Sequence, residues 1–179
     1  MNESKISVRY AKALFSLAKE EQFQEQVRTD MQYLYSIFQE VPEFRFLLED
    51  PVIKTPQKRD IINSVFKDNI KKITLNFLDL LLRNKREAYL PSISRVYISL
   101  FKKDMGIKSA VLITPLPLEE KIRDTIIVLI SKKLNVKIEL EERSDKNLIG
   151  GFVLRIEDQQ IDASVASQLN RIKKELINS

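Results

Sequence analysis

A chain of 179 residues is long enough to bury a hydrophobic core and fits either one domain or two small ones. With 44% hydrophobic and 31% charged residues it reads as globular with a heavily charged surface. Its longest uninterrupted aliphatic run, residues 126–130, falls far short of the roughly 20 residues that a membrane-spanning helix requires. The absence of Cys and His excludes disulfides, thiolate nucleophiles and the zinc and imidazole chemistry of many hydrolytic sites. Three glycines, Gly106, Gly150 and Gly151, are too few and wrongly spaced for a phosphate-binding loop or a dinucleotide turn, so no cofactor is expected. The net charge of +5 lies mostly before residue 105, and pairs such as Lys71-Lys72 and Lys102-Lys103 stand isolated among acids. That scatter suits a solvated surface, and leaves nucleic-acid binding only as a weak, nonspecific rival. The opening Met1-Asn2-Glu3-Ser4-Lys5 leads into an amphipathic pattern and carries no secretory signal, which points to a cytoplasmic site of folding.

From Ser4 onward apolar residues recur at helical spacing, punctuated by Pro42, Pro51, Pro56 and Pro91. The pattern predicts helices over 4–20, 23–39, 43–49, 56–67, 70–84 and 88–104, which would make one six-helix bundle. Gly106 breaks the pattern. Residues 107–114 are β-branched and aliphatic, and Val136, Ile138 and Leu140 alternate with Lys137, Glu139 and Glu141, so strands are expected in both places. Between them 118–134 reads as a helix entered through Pro115 and Pro117. Phe152, Leu154 and Ile156 predict a third strand, and a turn at Asp158-Gln159 leads to a fourth at 160–162. Val165, Leu169, Ile172 and Leu176 form one stripe on a last helix, with Ser164 or Asp162 as its cap. The expected architecture is α+β in two domains: an N-terminal six-helix bundle over 1–105, then a small α/β domain with a mixed sheet over 106–179.

Two helices carry more apolar surface than a surface helix needs. On the first, Ala13, Ile6, Leu17, Tyr10, Leu14, Ala18, Ala11, Phe15 and Val8 spread over an arc of roughly 220° at the helical repeat. On the fifth, Leu80, Ile73, Phe77, Leu81, Leu78, Leu82 and Leu75 cover a similar arc. A surface helix needs a stripe of only about 100° or somewhat more. The surplus is either buried at the centre of the bundle or turned outward. In the second case Ile6, Tyr10, Ala13 and Leu17 would line one wall of a groove and Ile73, Phe77, Leu80 and Asn84 the other, a shape that accepts an amphipathic helix.

The remaining candidate is Leu148-Ile149-Gly150-Gly151-Phe152 with Ile161-Asp162-Ala163-Ser164. A glycine pair before a strand is a backbone device, a tight turn or bulge, or else shapes a docking surface. Asp158 and Asp162 invite a reading as paired catalytic carboxylates, but no nucleophile or base accompanies them and carboxylates are common at turns and caps. The chain is therefore not expected to be an enzyme.

Arg9-Tyr10-Ala11-Lys12-Ala13-Leu14-Phe15 resembles the opening helix of the delta subunit of bacterial and chloroplast F-type ATP synthases, whose mitochondrial counterpart is the oligomycin-sensitivity-conferring protein. Asn76-Phe77-Leu78-Asp79-Leu80-Leu81-Leu82-Arg83-Asn84-Lys85-Arg86 resembles the family's fifth helix, and the segments at Gly150-Gly151 and Asp162-Ala163-Ser164 resemble its C-terminal signature. The resemblance is collinear over essentially the whole chain. It implies a peripheral-stalk protein whose helical domain binds the N-terminal helices of alpha subunits and whose C-terminal domain binds the b-subunit stalk, so that a stator resists rotor torque during proton-driven ATP synthesis. It also implies that the first and fifth helices form the partner groove, and that the chain meets the membrane only through the complex, on the cytoplasmic face of a bacterial membrane or its organelle equivalent. No nucleic acid and no small-molecule substrate are implied. Ala163 and Glu157 depart from the family pattern, both standing where glycine is common, and both bear on the C-terminal turn. A helical adaptor of an unrelated assembly is the alternative.

Overall fold

A computed structural model describes residues 4–177, with the side chains of residues 172 and 175–177 outside the described set. The side chains of the expected stripe members Ile172 and Leu176, and the opening Met1-Asn2-Glu3, therefore lie outside the described set. The chain is α+β: among the described residues there are eight α-helices and one four-stranded mixed sheet. It divides into two compact units, Met1–Lys102 and Lys103–Ser179.

In the first unit α1 (Lys5–Glu20) is capped by Ser4, whose hydroxyl accepts the Ser7 N–H at 3.2 Å. It buries Ser7, Ala11, Leu14 and Ala18, a narrow stripe at spacings of four, three and four. Gln22, at φ +60°, closes the helix, with the Phe23 N–H returning to Ala18 O. α2 (Gln24–Glu40) buries Val27, Asp30, Met31, Leu34 and Phe38. α3 (Pro42–Glu49) and α4 (Thr55–Phe66) each start near a proline, where the missing N–H costs no helical bond. The buried Lys58 of α4 donates to Leu48 O at the end of α3 (2.7 Å) and to Glu87 Oε1 (2.8 Å), tying both helices to the 3-10 turn Glu87–Tyr89. α5 (Lys72–Arg83) buries Thr74, Phe77, Leu78, Leu81 and Leu82. α6 (Leu90–Asp104) contributes Ile93, Val96, Phe101 and the wholly buried Tyr97, whose hydroxyl donates to Gln24 O at 3.1 Å.

In the second unit β1 (Ile107–Thr114) runs parallel to β2 (Lys137–Ser144), the two joined through α7 (Glu120–Leu134). β3 (Val153–Ile156) pairs antiparallel with β1 and with β4 (Gln159–Asp162), giving the order β2-β1-β3-β4. Ala110, Leu112 and Leu154 form the buried centre, and Leu118, Ile126, Ile130, Ile138, Leu140 and Ile156 pack against it. The third strand starts one residue later than the alternation suggests, leaving Phe152 40% exposed ahead of it. The hairpin turn is Glu157-Asp158, one residue earlier than expected, because Ile156 pairs with Gln159. Glu157 takes φ +52°, the conformation that makes glycine common there. α8 (Val165–Ile177) follows the sheet in sequence.

Candidate functional site

The surplus apolar surface of α1 and α5 divides between burial and exposure. On α1, Leu14 is buried while Leu17 is 45% exposed; on α5, Phe77 is buried while Leu80 is 46% exposed. Between them lies a groove of about 1060 Å³, lined from α1 by Tyr10, Ala13, Leu14 and Leu17 and from α5 by Ile73, Phe77, Leu80 and Asn84. The α5 set is spaced four, three and four residues apart, so it forms a single face. Tyr10 meets Phe77 edge to face, ring centroids 6.3 Å apart at 67°, which joins the two walls at the floor.

Of the expected groove residues, Ile6 is half-buried and does not line the groove; the other seven do. The helical spacing that aligns six apolar residues with Asn84 placed those seven, but it passed over the rim. Among the described residues, Arg9, Lys71 and Lys72 stand there as cations and Glu21 as an anion, with Asn76 and Phe23 also in the lining. Arg9 and Asn76 belong to the polar sides of their helices, and Phe23 lies in the turn that follows Gln22. Only the tertiary arrangement brings these three to the groove.

The wall helix α5 is held by polar contacts that hydrophobic patterning does not reveal. Asp30, 6% exposed on α2, accepts the Lys71 N–H at 2.9 Å and the Thr74 hydroxyl at 2.5 Å. On its outward side Asp79 pairs with Arg59 of α4 and, at 2.6 Å, with Arg83. Lys85, at φ +55°, ends the helix, with the Arg86 N–H returning to Leu81 O at 2.8 Å. Burial, followed by the nearby Asp30 charge, pushes the Tyr97 phenol well above its usual range.

The C-terminal signature is a backbone junction. Gly151 takes φ +79°, and a Cβ there would lie 2.3 Å from Ala163 O and 3.0 Å from Ser164 Cα; at Gly150 it would meet the Val165 side chain at 3.1 Å. Two backbone bonds close the approach, Ala163 N–H to Phe152 O (2.9 Å) and Val165 N–H to Gly150 O (3.0 Å). The Ser164 hydroxyl caps α8 by accepting the Ser167 N–H, while Asp162 accepts the Ser164 N–H (2.9 Å) and the Ser167 hydroxyl (2.7 Å). Hydrogen bonds from Ser164 and then Ser167 hold the exposed Asp162 carboxyl below its usual range. Asp162 and Ser164 thus fasten a helix start, and among the described residues no cluster of acids could hold a metal ion. The expected helix stripe begins exposed, with Val165 39% and Leu169 61% accessible. Among the described residues no helix is long and apolar enough to cross a membrane.

The sequence matches the ATP synthase delta (OSCP) subunit family over residues 6–176. A curated relative from Cytophaga hutchinsonii, "ATP synthase subunit delta", is 34% identical over 173 residues, covering 97% of this chain and 94% of the relative. One of the same name from Parabacteroides distasonis is 34% identical over 179 residues, covering 100% and 99%. Among solved structures, a chain of the Toxoplasma gondii mitochondrial ATP synthase hexamer shares the fold at TM-score 0.73 and 23% identity, over 97% of this chain and 98% of that one. A chain of the Polytomella F-ATP synthase F1 head and rotor aligns at TM-score 0.51 and 25% identity over 56% of this chain and 90% of that one. The chain belongs to the ATP synthase delta (OSCP) subunit family and is, with that family, a non-catalytic stator subunit.

Proposed function

We propose that the α1/α5 groove receives the amino-terminal helix of an alpha subunit of the catalytic head. One observation carries this reading: Leu17 and Leu80, on opposite walls of one apolar groove, each keep nearly half their surface open. From Ile73 to Asn84 the α5 wall runs about 16 Å, the length of three turns of an occupant lying alongside. Three cations against one anion on the rim favour a helix whose apolar stripe is flanked by carboxylates. In this account residues 1–105 act as a six-helix bundle that caps the head. Residues 106–179 bind the b-subunit stalk, for which the exposed Val165 and Leu169 of α8 and the 86% exposed Ile149 offer an apolar seat. Joined to a membrane-anchored stalk, the chain works on the cytoplasmic face of a bacterial membrane or its organelle equivalent, and transmits the torque that opposes the rotor.

Calorimetric titration of the chain with a synthetic alpha-subunit amino-terminal helix tests this. Saturable binding that Leu80→Glu weakens about a hundredfold is expected; wild-type affinity in that variant contradicts the reading. A helical adaptor of another assembly would ignore this peptide.

A further inference from the structure

Asp30 lies mid-helix among Val27, Met31 and Leu34, where a carboxylate forfeits its hydration and needs compensating partners. Two of its hydrogen-bond partners come from α5 and its N-cap. Lys71 is the N-cap residue of α5, yet its own side chain makes no capping bond; Thr74, fully buried, is the third residue of the helix. Asp30 Oδ2 accepts from the N–H of the first and the hydroxyl of the second. The acceptor for the N-cap N–H, which a capping-box Glu or Gln in the place of Thr74 ordinarily supplies, thus comes from 41 residues earlier, on a different helix, and brings negative charge to the positive end of the α5 dipole.

A cap supplied by the third residue of α5 would steady the first turn wherever the helix lay, whereas a cap from α2 steadies it in one position only. Lys71 at the cap, and Lys72 and Ile73 immediately beyond it, line the groove. The Tyr10–Phe77 contact is the second point that places this wall. We infer that Asp30 is a positioning residue for the groove: by fastening the amino end of α5 to α2, its carboxylate sets the spacing of the two walls and hence the affinity for a docked helix. This rests on the groove being a helix site.

The test compares the full chain with Asp30→Ala, Asp30→Asn and Lys58→Met. The last breaks an equally buried polar link that lies outside the groove lining. Each variant is measured for urea stability, for affinity toward the synthetic alpha-subunit helix, for amide exchange at residues 71–75, and for the Tyr10 ring signals by NMR. Asp30→Ala is expected to lose about tenfold in affinity under conditions where it stays folded, to exchange faster at 71–75, and to shift the Tyr10 signals. Asp30→Asn, which keeps one acceptor oxygen, should recover part of the affinity, and Lys58→Met should lose stability while binding normally. Wild-type affinity in Asp30→Ala, or losses that track stability alike in Asp30→Ala and Lys58→Met, would overturn the inference. If the wild-type chain does not bind the peptide, the groove reading falls. The wall geometry then decides: a shifted Tyr10 signal in Asp30→Ala upholds the positioning role, and an unshifted one overturns it.

Discussion

Replacing Leu80 separates docking from folding. Full burial of a leucine side chain contributes about 1.5–3 kcal/mol, and Leu80, at 46% exposed, has gained roughly half of that within the isolated chain. A partner that covers the rest gains about 1 kcal/mol, so Leu80→Ala should weaken binding about fivefold. Leu80→Glu forfeits the same contact and forces a carboxylate to desolvate against Tyr10, Phe77 and Leu17, adding about 1–3 kcal/mol and bringing the loss to about a hundredfold. Leu17, on the opposite wall and similarly exposed, predicts a near-additive partner: Leu17→Ala with Leu80→Ala should cost about 2 kcal/mol, roughly thirtyfold. Folding should change by about 1 kcal/mol in each single variant, the part contributed by the covered half of the side chain, which is well below the binding loss expected of Leu80→Glu. Val65, 51% exposed on α4 and outside the groove, is the control. Calorimetric affinities paired with urea midpoints read both quantities. Equal affinity losses in Val65→Ala and Leu80→Ala, or a stability loss in Leu80→Glu that accounts for its weakened binding, would show that Leu80 docks no partner.

Gly151→Ala should destabilise the second unit by about 3 kcal/mol, since the new methyl would strike Ala163 O in a backbone conformation already unfavourable to alanine; urea unfolding checks it. Lys85→Gly should raise stability by about 1 kcal/mol, as Lys85 is exposed and left-handed at the end of α5, and a denaturation midpoint that falls would contradict this. The Tyr97 phenol titrates higher in the folded chain than its unfolded value of 10.0, so its contribution to stability is complete below that pH and is lost as pH rises from there toward the folded value. Unfolding midpoints should therefore decline above about pH 10, and Tyr97→Phe should flatten the decline at the cost of about 1 kcal/mol for the lost bond to Gln24 O.

Much of this was legible because local signals and tertiary packing agree. The prolines, the apolar period of α1 through α6 and the β-branched run at 107–114 each state a local preference that the fold keeps. The groove was legible as a surplus, since Leu17 and Leu80 extend their helices' apolar arcs beyond what the core can cover. Which part of each arc would be covered was not, because that depends on neighbours distant in sequence: Ile6 is drawn away from the groove while Arg9 joins it. Polar residues on buried faces were the largest gap. Ser7, Asp30, Lys58 and Thr74 interrupt apolar stripes and read as surface until their partners, up to 44 residues away, are known. Gly151 illustrates the same limit, its requirement being set by the approach of Ala163 and Ser164 across a hairpin.

The groove's occupant can be identified directly by placing a photoreactive residue at position 80 in the assembled synthase, with position 65 as control, and sequencing the crosslinked peptide by mass spectrometry. The amino-terminal segment of an alpha subunit is expected at position 80 and not at 65. Crosslinks from position 80 that return only to this chain, or that reach another part of the complex, would mean that the groove does not hold that helix.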